Sequence, residues 1–225
     1  MMILVASLGV TAVAACGGST QDLVSAPPEP TATLAPPTAV AAPALRGFSF
    51  PIGGGCLPQG DQLMPNAPRT YRNGIHEGVD FYAVDNCVPV ERGTAVIAVA
   101  DGTIIRADLS YVDLTPAELA AYQAEPNTDA ALDKFRGRQV WIDHGGGVVS
   151  RYAHLEAIAA GIAPGRSVRQ GEVIAAVGES GTPESVTNPG NEYHLHFELR
   201  LDASYLGAGL APATVRPLYE ELFGP

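Results

Sequence analysis

The segment His194-Leu195-His196-Phe197-Glu198-Leu199 alternates polar and apolar side chains without a break. Residues two apart on a β-strand share a face. His194, His196 and Glu198 therefore point one way, and Leu195, Phe197 and Leu199 the other. The apolar set requires a core beneath it. The polar set, two imidazoles beside a carboxylate, is costly to hold on a sheet unless it binds something. A chain carrying this strand must build a sheet with a core on one face and ligand-grade groups on the other.

The rest of the chain from Phe48 onward agrees with a β architecture. Thr94–Val99, Thr103–Ile105, Gln139–Ile142 and Val173–Val177 are short apolar runs bounded by Gly or Asp, the signature of strands. Asp101-Gly102, Gly145-Gly146-Gly147 and Ser180-Gly181 mark turns. Val90-Glu91-Arg92-Gly93 before Val96 is echoed by Val168-Arg169-Gln170-Gly171 before Ile174, each reading as a turn leading into a buried strand. One insertion, about Ser110 to Arg136, reads as helical: Thr115-Pro116-Ala117-Glu118 is a capping box with proline at the first helical position. A second short helix is expected over 217–223. Both helices read as peripheral, without chemistry of their own.

Composition narrows the partners and the compartment. A formal net charge of −11, with Lys134 the only lysine, argues against a nucleic-acid partner, because no basic cluster exists to neutralise phosphates. The apolar run Met2–Ala15 is too short to span a bilayer. It ends in Val13-Ala14-Ala15-Cys16, which looks like a bacterial lipoprotein signal whose cysteine is lipidated after cleavage. No Lys or Arg precedes the run, a departure that leaves an atypical, cleaved secretion signal as the alternative. Residues 1–16 are thus read as a signal segment and 17–46, rich in Ala, Pro and Thr, as a disordered linker. In extended polyproline form, about thirty such residues reach up to ~90 Å. In an oxidising compartment Cys56 and Cys87 are free to form a disulfide; two reduced thiols are the alternative.

Four of the five histidines fall in three short segments. His76 and Asp80 stand in His76-Glu77-Gly78-Val79-Asp80, His154 in Tyr152-Ala153-His154-Leu155, and His194 and His196 in the alternating strand. Alone, an HxxxD match is explained by chance or salt bridging, and a lone HxH often serves structure only. Two histidines and one carboxylate form a catalytic zinc set that leaves one coordination position open.

Together, and in this order, the motifs resemble those of the lysostaphin-type zinc metallopeptidases, also called LytM-like peptidoglycan endopeptidases. The likeness extends from about Gly74 to Arg200 and includes Val140-Trp141-Ile142-Asp143-His144-Gly145 and Gly178-Glu179-Ser180-Gly181-Thr182. The resemblance implies a mainly β, compact antiparallel domain over 47–225 with a short helical insertion. It implies Zn2+ on His76, Asp80 and His196, with His154 and His194 as the catalytic pair. It further implies a zinc metalloendopeptidase that cleaves amide bonds in peptidoglycan; the lipoprotein-like signal separately places the chain outside the cytoplasm, tethered to the membrane through Cys16. His144 matches a structural position in that family. Glu198 could orient a ligand, Tyr71 or Arg72 could polarise a substrate oxygen, and Asn73 could block the open position in a latent state. The stretches near Thr115 and over 183–193 are longer than the family's pattern, which puts substrate choice in doubt. Two alternatives share the β reading: a non-enzymatic activator of cell-wall amidases on the same fold, and a carrier module, which would need a lysine at a hairpin tip that Lys134 does not supply.

Overall fold

Short strands and tight turns succeed one another in the computed structural model, which describes residues 45–224. The signal segment with Cys16, and the linker up to residue 44, lie outside the described residues. β1 (Pro68–Arg69) and β2 (Gly74–Ile75) pair as a small hairpin, followed by β3 (Val79–Phe81), β4 (Ala95–Ile97) and β5 (Gly102–Ala107). Helices α1 (Pro116–Ala124) and α2 (Asp129–Phe135) then interrupt the strands. The chain continues through β6 (Val140–Asp143), β7 (Val148–Ala153), β8 (Leu155–Ile158), β9 (Ser167–Val168) and β10 (Val173–Val177). It closes with α3 (Pro183–Thr187), β11 (Leu195–Leu201), β12 (Ser204–Tyr205) and α4 (Pro212–Leu222).

The strands form a large antiparallel sheet in the order β12-β11-β7-β6-β5-β9, with β3 also paired to β11, and a smaller sheet in the order β4-β10-β8. The two echoed segments meet in the smaller sheet, where β4 and β10 pair and Val96 and Ile174 are both fully buried. Between the sheets lies a core of Phe81, Tyr152, Leu155, Phe197, Leu199 and their neighbours, all without solvent exposure. The expected alternation holds on β11: Leu195, Phe197 and Leu199 face this core. Leu45 packs against it as well, and Arg46 pairs with Glu221.

Cys56 and Cys87 form a disulfide across a sequence separation of 31 residues. The closed loop contains both His76 and Asp80.

The helices depart from expectation in number and extent. α1 has the capping box read from sequence, with Thr115 accepting from the Glu118 N–H. A second helix, α2, follows within the same insertion, capped by Thr128. α3 also begins with a capping threonine and a proline, Thr182-Pro183, the same pair that marks α1. α4 starts at Pro212, five residues ahead of the expected 217, and Pro217 lies inside it. Burial explains this start: Val215, Tyr219 and Leu222 are fully buried at helical spacing, which offsets the hydrogen bond lost at Pro217. Among the described residues no helix is long and apolar enough to cross a membrane.

Candidate active site

Sheet register brings the two halves of the site together. His196 on β11 stands directly opposite Asp80 on β3, and on its other side opposite Ala153 on β7. Side chains of directly opposed residues lie on the same face, so a strand pairing joins residues 116 apart in sequence. His76 lies just ahead of β3, where its N–H donates to Ala67 O at 2.9 Å and its carbonyl accepts from Asn66 at 2.8 Å. The side chain of Asn66 is tied in turn to Gly207 O, Leu210 O and the Tyr205 hydroxyl.

Three donor atoms that could hold a metal ion converge. His76 Nε2 is 3.0 Å from Asp80 Oδ1 and 3.0 Å from His196 Nδ1, and His196 Nδ1 is 2.8 Å from Asp80 Oδ1. All three residues are buried. Their outward nitrogens are already committed: His76 Nδ1–H donates to Met64 O at 3.1 Å and His196 Nε2–H to Glu198 Oε1 at 3.0 Å. The inward atoms are therefore three acceptors facing one point, an arrangement that repels itself unless a cation or proton lies between. Tetrahedral zinc with bonds of roughly 2.0–2.1 Å sets its ligand atoms about 3.3 Å apart, so the donor set fits a zinc ion with adjustments of a few tenths of an ångström. Burial by itself would raise the Asp80 carboxyl, but His76 and His196 hold it well below the usual carboxylate range. His196 lies between two carboxylates; burial lowers its pKa, and its bonds to Asp80 and Glu198 outweigh this and push it up to about 8.

His154 and His194 stand beside this set, with ring centroids 4.5 Å apart. Each has Nδ1–H anchored on a main-chain carbonyl, His154 on Ser180 O at 2.9 Å and His194 on Glu192 O at 2.7 Å. That fixes the tautomer and leaves Nε2 with a free lone pair on both rings. His194 Nε2 is 3.9 Å from Asp80 Oδ1. Burial first, then the rings of His194 and His196, keep His154 neutral well below the ordinary imidazole value; burial likewise lowers His194. His154 has a left-handed φ of 59°, uncommon for a non-glycine residue and a mark of a position the fold over-determines.

These groups lie in a cleft of about 740 Å³, whose walls include Arg69, Tyr71, Phe135, Thr182 and Glu192. Residues 74–207 match the model of Peptidase family M23. The chain belongs to this family. No curated protein sequence matches the chain. Among solved structures it is similar to a zinc-containing peptidase from Vibrio cholerae, at 22% identity and a TM-score of 0.47, over 74% of this chain and 41% of that one. It is also similar to the catalytic domain of the antimicrobial peptidase lysostaphin from Staphylococcus simulans, at 22% identity and a TM-score of 0.40, over 65% and 78%. A mutant catalytic domain of the prophage-encoded M23 protein EnpA from Enterococcus faecalis matches at 19% identity and a TM-score of 0.39, over 70% and 95%. The chain spans less than half the length of the Vibrio cholerae protein.

Within this M23 domain, all five residues singled out by the motifs meet in one cleft, and the other expectations sort by contact. His144 bonds Asp101 O at 2.7 Å and the Ser150 hydroxyl at 2.8 Å, well integrated in the sheet. Glu198 is fully buried behind His196. Tyr71 is 77% exposed on the cleft wall, while Arg72 is engaged with Ile75 O and Asn127. Arg69 donates to Asp80 Oδ2 at 2.8 Å.

Four contributors had no sequence signal of their own. Arg69 enters through the β1–β2 hairpin. Tyr82 stacks on His194 with centroids 4.3 Å apart and donates to Glu192 at 2.9 Å. Glu179 accepts the N–H groups of Gly190, Asn191 and Glu192, which orders the extra residues before His194 and aims the Glu192 carbonyl at its ring. Arg136, at the end of the insertion, bonds Glu198 and Glu77, so the insertion, whose helix read as peripheral, reaches the site at its C-terminal end.

Proposed function

We propose that this chain is a zinc-dependent endopeptidase that hydrolyses amide bonds in peptidoglycan peptides. The observation that carries the reading is the convergence of His76 Nε2, Asp80 Oδ1 and His196 Nδ1 beside two histidines with free Nε2 lone pairs. His76, Asp80 and His196 would hold the zinc ion, which when bound polarises a scissile carbonyl and makes water more acidic. Neutral His154 and His194 supply the proton chemistry. An Nε2 lone pair accepts a proton from the attacking water, and the resulting N–H returns it to the amine as the C–N bond breaks. The second water proton passes to the same amine, so the products are a carboxylate and an ammonium group, with no net proton left on the protein. Tyr82 and the Glu192 carbonyl keep the His194 ring in place during this exchange. The lipoprotein-type Cys16 and the linker support a location outside the cytoplasm, with the domain tethered to a membrane and the wall within reach.

The test is digestion of purified peptidoglycan by the purified chain. Peptide fragments are expected to appear, to vanish on chelation, to return with zinc, and to fall at least about 100-fold in His196→Ala. Undiminished release after chelation, or by His196→Ala, would overturn the zinc reading. A zinc-loaded wild type that releases nothing would favour the amidase-activator reading instead.

A further inference from the structure

Arg136 ends the helical insertion and engages two carboxylates at once. Its Nε donates to Glu198 Oε1 at 2.6 Å and its outer nitrogen to Glu77 Oε2 at 2.8 Å. Glu198 Oε1 also accepts the outward N–H of His196, and Glu77 directly follows His76 in the chain. The Arg136 carbonyl accepts the main-chain N–H of His154 at 2.8 Å. The next residue, Gly137 (φ +66°), packs its backbone against the Ser180-Gly181 turn (Gly181 φ +76°), where a Cβ on either glycine would collide with the facing backbone. Arg200 bridges the same two carboxylates, at 2.7 and 3.1 Å, and Arg151 lies 3.5 Å from Glu198 while stacked on Trp141. These two arginines come from the sheet and approach Glu198 at Oε2. Arg136 comes from the insertion and shares Oε1 with His196.

We propose that Arg136 is a positioning residue: its forked guanidinium fixes Glu198 against His196, and so makes the order of the insertion a condition of tight metal binding. This rests on the zinc reading above. A carboxylate that receives the outward N–H of a ligating imidazole orients the ring and makes its other nitrogen a better donor; losing such a partner weakens metal affinity by about 10–100-fold. The fork of Arg136 sets separate nitrogens on Glu198 Oε1 and Glu77 Oε2, a geometry that lysine, a point charge, does not reproduce. Without Arg136, Glu198 is left to the arginines at Oε2 and turns away from His196. The charge of Arg136 acts in the opposite direction, since removing a cation by itself favours binding of another. The sign of the effect therefore separates positioning from charge.

The experiment measures zinc affinity of the full chain by competition with a chelator, beside the visible spectrum of the Co2+-substituted protein. Arg136→Lys and Arg136→Met are each expected to weaken zinc binding by about 10–100-fold and to alter the cobalt bands. In a Glu198→Gln background, Arg136→Lys is expected to add less than about twofold. Arg136→Lys retains the charge and carries the test should Arg136→Met fail to fold. Wild-type affinity in Arg136→Lys overturns the proposal, as does tighter binding in Arg136→Met. A full additional loss in the Glu198→Gln background overturns it too, because Arg136 would not be acting through Glu198. A wild type that holds no zinc overturns the zinc reading and this proposal together, an outcome distinct from tight binding that the variants leave unchanged.

Discussion

The strand platform and the helical insertion meet at the same site, but different forces hold them. Under the site, β7 and β11 present Tyr152, Leu195, Phe197 and Leu199 to the core with no exposure, and each strand is bonded along both edges. The insertion buries little: Leu119 is the buried residue of α1 and Ala131 that of α2. Polar contacts fix it instead. Asn127 exchanges hydrogen bonds with Arg72, Arg106 joins Asp108 to Asp133, and the Asp113 carboxylate accepts from the Gly181 N–H. Apolar burial and strand ladders dominate stability, whereas polar contacts at partly exposed positions contribute little net energy but define geometry. The platform thus carries the fold, and the insertion shapes the cleft and the surroundings of Glu198.

The largest expected effect lies on the platform. Phe197→Ala removes a fully buried ring next to His196 and should cost about 3–5 kcal/mol, read as a lower midpoint in denaturant unfolding. A loss below about 1 kcal/mol, the scale of a surface change, would break the contrast by showing that the core tolerates a hole under the site. Replacing Cys56 and Cys87 together by serine comes next. A 31-residue separation corresponds to about 3–4 kcal/mol in the loop-entropy account, with the unfolding midpoint again the readout. The disulfide encloses His76 and Asp80, so zinc retention should fall along with stability. An unchanged midpoint would mean that the first ligand segment is held by β3 and the hairpin alone.

How much of this was legible in the sequence differs between the same two regions. Alternation at 194–199 and the Gly-bounded runs disclosed the platform because strand burial has a period of two, visible in a single segment. The motif order also singled out His76, Asp80, His154, His194 and His196, and these five residues line one cleft. The insertion was legible only at Thr115, where a cap and a proline stand together. α2 and α3 went unread although Thr128 and Thr182 cap them, since five to seven residues are too few to show helical periodicity. α4 was cut short at Pro217 because local propensity placed proline first, while burial of Val215 extended the helix backward. Arg69, Tyr82 and Arg136 were invisible for a different reason: their roles arise from contacts 11 to 112 residues distant in sequence, and no local pattern encodes them.

The smallest expected effect sharpens the contrast most. Thr115→Ala deletes the α1 cap, in which the threonine oxygen accepts from the Glu118 N–H and Glu118 reaches back to the Thr115 N–H. The loss should be about 1 kcal/mol, and it should stay local. Because α1 buries only Leu119, fraying of its first turn exposes almost no core. Amide hydrogen exchange over 116–124 should therefore accelerate about fivefold, the equivalent of 1 kcal/mol, while exchange in β7 and β11 and the global midpoint stay where they were. Were the midpoint instead to fall as far as in Phe197→Ala, the insertion would be a cooperative part of the core, and fold and cleft wall would not be separable. A local response alone leaves the insertion free to vary in length and sequence with Arg136 as its fixed point on the site.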